Sequence, residues 1–348
     1  MPPILHSLLD TDAYKLHMQQ AVFHRYPDAD VVAEFHSRNE EDLLPMMGQI
    51  EEQLRLAGSL RLTRSELDFL AERPFFTPDY LDHLRRKPLD ASLLKVFEQD
   101  GRINVRVEGP WQDVILWEIP VLAIISEMRN RFRYPQFGVS QALERLDQKI
   151  DKLERELSRE EMSEFNLIDF GTRRRFSLAV QDAVVGRLKE RLPAFRGTSN
   201  YLLAQKYRLP AVGTQAHEWF QAHQQLGFPL ELSQRAALTS WLDEFTNHLV
   251  SRSPTASPWM LSCVTSTSSW RAATRGCATT PAIPWYGARR PSATISGSAS
   301  TLPRRRWSSP TGSTSTRPSS CCATSAAAST PASASAPSSP AICPASAR

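Results

Sequence analysis

The stretch Gly213-Thr214-Gln215-Ala216-His217-Glu218 sets an imidazole where an apolar segment gives way to a helical pattern. On the first turn of a helix an imidazole can act as base, acid or nucleophile toward a phosphoryl group. The same histidine could equally cap the helix or fill a core. Four residues separate Glu218 from His223, not two, so HEWFQAH is not the H-E-x-x-H of zinc proteases. His223 lies six residues on, off the face of His217, and reads as structural. A second candidate, Gly171-Thr172-Arg173-Arg174-Arg175, brings three guanidinium groups to the expected start of a helix, where free backbone N–H groups favour an anion. The planar guanidinium fork suits phosphate oxygens; the bland alternative is a solvated basic turn. The third, LLDTDAYKLHMQQA from Leu8 to Ala21, gathers Asp10, Asp12, Tyr14 and Lys15 at a helix start. It reads either as a charged N-cap or as an aromatic lid, Tyr14, over a planar ligand.

The elements that must hold these groups follow from periodicity. FNLIDFGTRRRFSLAV, AFRGTSNYLLAQ and YRLPAVGTQAHEWFQAHQQ each pass from a short apolar segment through Gly-Thr into a helical pattern. Such repetition predicts parallel β/α units, whose active face lies at the C-terminal ends of the strands. Leu143, Leu146, Ile150, Leu153 and Leu157 mark an amphipathic helix ahead of them. SQRAALTSWLDEFTNHL closes the series with Leu238, Trp241, Leu242, Phe245 and Leu249 on one face. Upstream, DADVVAEFHSR has a β-like apolar core, Thr63-x-x-Glu66 is a capping box, and Thr77-Pro78 is a second helix start. RINVRVEGPWQDVILWEIP predicts a strand pair turning at Gly109-Pro110, and VLAIISEMRNRF a buried helix. The fold class is therefore α/β: an α+β N-terminal domain over residues 1–135, then β/α units over 136–249.

Composition divides the chain of 348 residues in two. All 37 acidic residues precede Val250, with 31 of the 41 basic ones, a net −6. The 99 residues from Val250 contain ten Arg and no Asp, Glu, Lys, His, Asn, Gln or Phe, a net +10. They also hold all five cysteines (Cys263, Cys277, Cys321, Cys322, Cys343) with no CxxC pair or companion His, which argues against a zinc site. The start, MPPILHSLLDTDAYK, lacks a basic, apolar signal-peptide pattern, and no run approaches a membrane span, so the expected location is cytoplasmic.

Taken together and in order, LLDTDAYKLHMQQAVF, GPWQDVILWEIPVLAIISEM, DFGTRRRFS, GTSNYLLA and GTQAHEWFQAHQQ resemble the signatures of the bacterial nicotinate phosphoribosyltransferase family. The resemblance covers essentially all of residues 4–249. It implies the type II phosphoribosyltransferase fold, an α/β N-terminal domain followed by an irregular β/α barrel, here incomplete. It implies a ligase-class reaction of NAD biosynthesis in which nicotinate and phosphoribosyl pyrophosphate give nicotinate mononucleotide and pyrophosphate, coupled to hydrolysis of ATP. His217 matches the histidine that ATP phosphorylates transiently, and a neutral imidazole is a competent phosphoryl acceptor at pH 7. Tyr14 and Thr214 match nicotinate contacts, and Arg173 and Arg174 match a basic corner used by the phosphorylated substrate. ATP is implied as co-substrate, with Mg2+ accompanying ATP and phosphoribosyl pyrophosphate, no bound organic cofactor, no protein-held metal, and a homodimer as the usual assembly. A related transferase acting on nicotinamide or quinolinate is the nearest alternative, disfavoured by motif detail.

The family barrel should continue past Leu249 with acidic motifs, and the tail has none. Shifting the reading frame one base upstream recovers them. Each recovered codon takes its first base from the preceding residue's wobble position, and the residue itself sets the other two. VSRSPTASPWMLSCVT (Val250 to Thr265) is then compatible with GIALTDCITMDAFLRD, and GCATTPAIPWYGARR (Gly276 to Arg290) with GLRHDSGDPVVWGEK. WSSPTGSTS (Trp307 to Ser315) gives LVFSDGLDL, and TPASASAP (Thr330 to Pro337) gives NTSFGIGT. These resemble the missing family motifs, in order, so the sequence points to a one-base deletion near Leu249. Residues 250–348 then form an aberrant, disordered tail, and the chain as it stands is expected to be inactive. The competing reading, a basic Ser/Pro-rich arm that binds nucleic acid nonspecifically, rests on composition alone.

Overall fold

The computed structural model describes residues 1–36, 43–87, 89–246, 248–249 and, as backbone, 342–344. All of these belong to one compact unit. The disordered tail and the basic-arm reading fall on residues outside the described ones.

The N-terminal part is built on an antiparallel sheet ordered β1-β3-β2, from β1 (Asp30–His36), β2 (Leu94–Gln99) and β3 (Arg102–Pro110). Strands β2 and β3 are joined tightly at Asp100-Gly101, both with positive φ, the backbone that matches the twist of a hairpin. Alternation along β3 buries Ile103, Val105 and Val107. These pack with Ile50 and Leu54 of α2 (Met47–Ala57) and with Val121, Ile124 and Ile125 of α6 (Glu118–Arg133). The capping box at Thr63 and Glu66 opens α3 (Arg64–Ala71), and Pro78 opens α4 (Pro78–Arg86), as their sequences predict. Helix α1 (Ala13–Arg25) is buried at every residue from Ala13 to Val22, which makes it the shared wall between these elements and the C-terminal ones.

The predicted strand pair turning at Gly109-Pro110 is replaced by a different arrangement. Strand β3 runs through both residues, and the apolar run beyond folds as α5 (Trp111–Val114), a 3-10 turn and α6. Continuous apolar runs do not separate a buried strand from a buried helix. Here the Trp111 amide donates to the Ala29 carbonyl at 2.7 Å and ends the ladder.

Helix α7 (Val139–Glu156) buries Leu146 and Ile150 against α9 (Leu178–Arg191), while Arg187 and Arg191 pair with Asp147 and Asp151 across the same contact. The short α8 (Arg159–Glu164) follows α7 and carries its own capping box at Ser158. Strands β4 (Leu167–Asp169) and β5 (Phe195–Thr198) are parallel and connected through α9, the expected β/α unit. The second unit continues into α10 (Tyr201–Tyr207), and the third strand shrinks to one parallel bridge, Thr198 to Ala211, before α11 (His217–His223). Gly197 allows this close approach: a Cβ there would stand 2.4 Å from the Pro210 carbonyl oxygen.

The Gly-Thr pairs are not helix starts. Gly171-Thr172 leads into a 3-10 turn over Thr172–Arg174, and α9 begins only at Leu178, capped by the Ser177 side chain. Gly197-Thr198 ends β5, with Asn200 capping α10. Gly213-Thr214 lies three residues ahead of α11. The last helix, α12 (Leu230–Glu244), starts earlier than its apolar face suggested and buries Ser233, Ala237 and Trp241; Leu238 and Leu242 are half-buried and Leu249 lies beyond its end.

Of the residues after Val250, only the backbone of 342–344 is described. The structure sets β6 (Ile342–Pro344) antiparallel on β4, on the edge opposite β5. A free strand edge offers unpaired N–H and C=O groups to any extended segment, whatever its sequence. Among the described residues no helix is long and apolar enough to cross a membrane.

Candidate active site

The polar groups of the candidate site converge where the start of α1 meets the loops after β4, β5 and Ala211. Asp10 and Asp12 precede α1 and are buried. Asp12 sits at the N-cap position but makes no capping bond. Its carboxylate instead accepts from Ser199 Oγ at 2.6 Å and Tyr14 Oη at 2.8 Å, and Arg173 Nε stands 3.9 Å away. The stretch is thus not a simple charged cap, and Tyr14 is buried, with burial and then Asp12 raising its pKa well above the usual phenol. Its ring faces the Arg173 guanidinium at 5.9 Å and packs against Gly213, where a Cβ would touch it at 3.4 Å. The loop is thereby laid on Tyr14 at Gly213, and the next residue, Thr214, is half-buried with its backbone against His17.

The three consecutive arginines have three fates. Arg173 is largely buried; its Nη1 donates to Glu118 Oε1 at 3.0 Å. Burial opposes its charge, but Tyr14, Glu118 and Asp12 together raise its pKa. Arg174 is exposed and forms no ion pair among the described residues, so it does not join Arg173. Arg175 is fully buried and belongs to the core through Asp10. The structure thus brings Tyr14, Thr214, Arg173 and His217 together and leaves Arg174 on the surface.

His217 is the first residue of α11 and is half-buried. Burial, then the positive charge of Arg173, lowers its pKa below the ordinary imidazole value, so the ring is neutral at pH 7. Behind its loop lies His17, buried, with Nε2 2.7 Å from Tyr201 Oη and the carbonyls of Thr214 and Gly213 beside the ring. His223 is core, as expected: Nδ1 meets the Trp219 carbonyl at 2.6 Å and Nε2 meets Tyr26 Oη at 2.9 Å.

Four polar groups here were not legible as site residues. Glu118 lies in the apolar run ILWEIPVL, and its charge in that run was the available signal. It pairs with both Lys15 and Arg173. Glu218 pairs with Lys15 and accepts from Trp111 Nε1 at 3.0 Å. Asp169 accepts from the Gly171 amide, Gln181 and Thr198, holding the 171–175 turn against the ends of β4 and β5. Asn200 bridges Asp10 and Thr172. A cavity of about 230 Å³ opens on the far side of Lys15, Glu118 and Glu218, lined also by Trp111, Val31 and Gln221. Tyr14, Arg173, Thr214 and His217 do not line it. Among the described residues no group of three or more His, Cys, Asp or Glu is placed to hold a metal.

Two family models match the chain: the nicotinate phosphoribosyltransferase (NAPRTase) N-terminal domain over residues 9–126, and the nicotinate phosphoribosyltransferase (NAPRTase) family over residues 165–255. Nicotinate phosphoribosyltransferases of Edwardsiella ictaluri and Citrobacter koseri are each 51% identical over 247 residues, which is 71% of this chain and 62% of theirs. The crystal structure of the Vibrio cholerae nicotinate phosphoribosyltransferase superposes with a TM-score of 0.67 at 37% identity, over 70% of this chain and 58% of that one. The Porphyromonas gingivalis enzyme gives 0.66 at 31% identity, over 71% and 62%. The chain therefore spans under two thirds of the length of the relatives it matches. Two successive family models, half-identical relatives and superposable structures agree, and the chain belongs to the nicotinate phosphoribosyltransferase family.

Proposed function

We propose that the intact protein transfers a phosphoribosyl group from phosphoribosyl pyrophosphate to nicotinate, with ATP as co-substrate, in cytoplasmic NAD biosynthesis. The observation that carries this reading is the placement of a neutral, half-buried His217 within the field of Arg173, which itself faces Tyr14. A neutral imidazole nitrogen can attack the γ-phosphorus of ATP: an N–P bond forms, the bond to the ADP oxygen breaks, and ADP leaves. Arg173 then supplies positive charge beside the new phosphoryl group. Tyr14 and Thr214 would flank the nicotinate ring. Arg173 and Arg174 would form the basic corner for the phosphorylated substrate, Arg174 from the surface. Mg2+ would arrive on the phosphates of ATP and phosphoribosyl pyrophosphate, keeping several of its waters. A homodimer is the proposed assembly, and residues 1–135 and 136–249 the proposed domains.

The proposal includes the tail. A one-base deletion near Leu249 replaces the rest of the β/α barrel, so this chain carries the first part of the site without the second. The experiment incubates the frame-restored chain with ATP labelled at the γ-phosphate, then measures acid-labile label on His217 and formation of nicotinate mononucleotide. Label lost in His217→Asn, with a frame-restored chain that turns over nicotinate, is the expected result. Turnover by the frame-restored chain that survives His217→Asn would overturn the phosphohistidine reading.

A further inference from the structure

The Lys15 side chain is fully buried, midway between Glu118 on α6 and Glu218 on α11, and its Nζ pairs with both. The remaining oxygen of each carboxylate is also engaged. Glu118 Oε1 accepts from Arg173, and Glu218 Oε1 from Trp111 Nε1, each at 3.0 Å. A continuous polar chain therefore runs Trp111–Glu218–Lys15–Glu118–Arg173. It joins α1, α5, α6, the 3-10 turn over Thr172–Arg174 and α11.

This chain matters because the first turn of α11 has few other polar ties. Its N-cap, Ala216, offers no side-chain cap, and the Ala216 amide reaches only the Met18 sulfur, at 3.4 Å. Apolar anchoring of the helix comes one residue beyond Glu218, through the buried Trp219. Within this chain Lys15 and Arg173 face Glu118 and Glu218, and Asp12 stands 3.9 Å from Arg173 as a further carboxylate. Burial opposes the Lys15 charge, yet the two carboxylates outweigh it and hold its pKa above the ordinary value. If Lys15 were neutral, Glu118 would keep only Arg173 and Glu218 only the Trp111 Nε1 donor, and Glu218 adjoins His217 in the chain.

We propose that Lys15 is a positioning residue for His217: by binding Glu218 and Glu118 at once, it fixes the first turn of α11 and shares the Glu118 carboxylate with Arg173. The inference rests on the reading of His217 given above, and it extends that reading to a residue that touches no reacting atom. Its test is made without ATP or substrate, so it can fail separately from that reading.

The His217 ring is titrated by long-range 1H–15N NMR in the full chain, its signals identified by their loss in His217→Gln. The charged groups facing the ring's surroundings are Glu218 on its own helix, Arg173 on the 3-10 turn, Lys15 and Asp12 at α1, and Glu118 on α6. Lys15→Met is expected to raise the His217 midpoint by roughly half a unit or more, because uncompensated carboxylates favour the imidazolium. Lys15→Arg, which keeps the charge, is expected to restore the native value. If Lys15→Met does not fold, Glu218→Gln decides: removing the neighbouring negative charge is expected to lower the midpoint. An unchanged midpoint in the variants that fold overturns the proposal. A shifted midpoint here, beside a frame-restored chain that ATP fails to label, would leave the positioning role standing and count against the phosphohistidine reading.

Discussion

Arg175 gives its two terminal guanidinium nitrogens to the two carboxylate oxygens of Asp10, at 2.6 and 2.8 Å, with both side chains fully buried. The pair ties the segment ahead of α1 to the turn after β4, so the two sequence-distant halves of the site share one fixed point. Asn200 completes it by donating to Asp10 Oδ1 at 2.8 Å. Arg174, one residue earlier, has no comparable partner among the described residues.

The stability of neighbouring arginine variants should therefore diverge. Removing one partner of a buried pair leaves an uncompensated buried charge, so Arg175→Ala is expected to cost about 3–5 kcal/mol. Arg174→Ala is expected to stay within about 0.5 kcal/mol of the native chain. Urea unfolding followed by far-UV circular dichroism compares them. Equal losses would remove the distinction between a core and a surface arginine.

Acid should weaken the fold through buried histidines. Burial lowers the His223 pKa to about 4 and the His17 pKa to about 3. Unfolding returns each to about 6.5, so the unfolded chain binds more protons below that pH. Both groups thus contribute stability that is fully present above about pH 6.5 and falls as the pH drops toward their folded values. His223 alone should account for about 3 kcal/mol across that window. His223→Gln should flatten the decline in unfolding free energy between pH 7 and pH 4.5; an unaltered slope would show that His223 is charged in the folded chain.

Two glycines should respond in opposite directions to alanine. Gly197→Ala forces a Cβ against the Pro210 carbonyl, which would separate β5 from the bridge at Ala211 and displace the loop that carries Thr214 and His217. A loss on the order of 2 kcal/mol, with a lower melting temperature, is expected. Gly48 in α2 is exposed and has nothing near its missing Cβ. Gly48→Ala should gain from a few tenths to about 1 kcal/mol.

Restoring the reading frame should restore the missing barrel motifs. The gene, resequenced across the codon of Leu249 and with one base reinserted, is expected to encode HDSGDP and SFGIGT in register. Its product should form nicotinate mononucleotide, and the present chain should not. Normal turnover by the present chain would refute the assignment of Val250–Arg348 as a shifted frame.

Much of the fold follows from local rules that sequence carries openly. Thr63 and Glu66 form their capping box from adjacent groups, and the heptad-like leucines of α7 face the core because the helix period puts Leu146 and Ile150 on one side. The family was equally legible, since Tyr14, Arg173, Thr214 and His217 stand in long motifs in a fixed order. Sequence also showed the change of composition at Val250, where acidic residues cease. Tertiary structure decided what happens between distant residues. The RRR run reads as three equal cations, and only packing separates Arg173 on Glu118, Arg174 in solvent and Arg175 in the core. The run after Pro110 was ambiguous because an apolar stretch satisfies either period. Glu118, Lys15 and Glu218 lie about a hundred residues apart in successive steps, and nothing local tells a carboxylate which cation it will meet. Their pairing is set by the burial of α1, which forces a lysine to the interior and leaves it stable only where two carboxylates are brought to it.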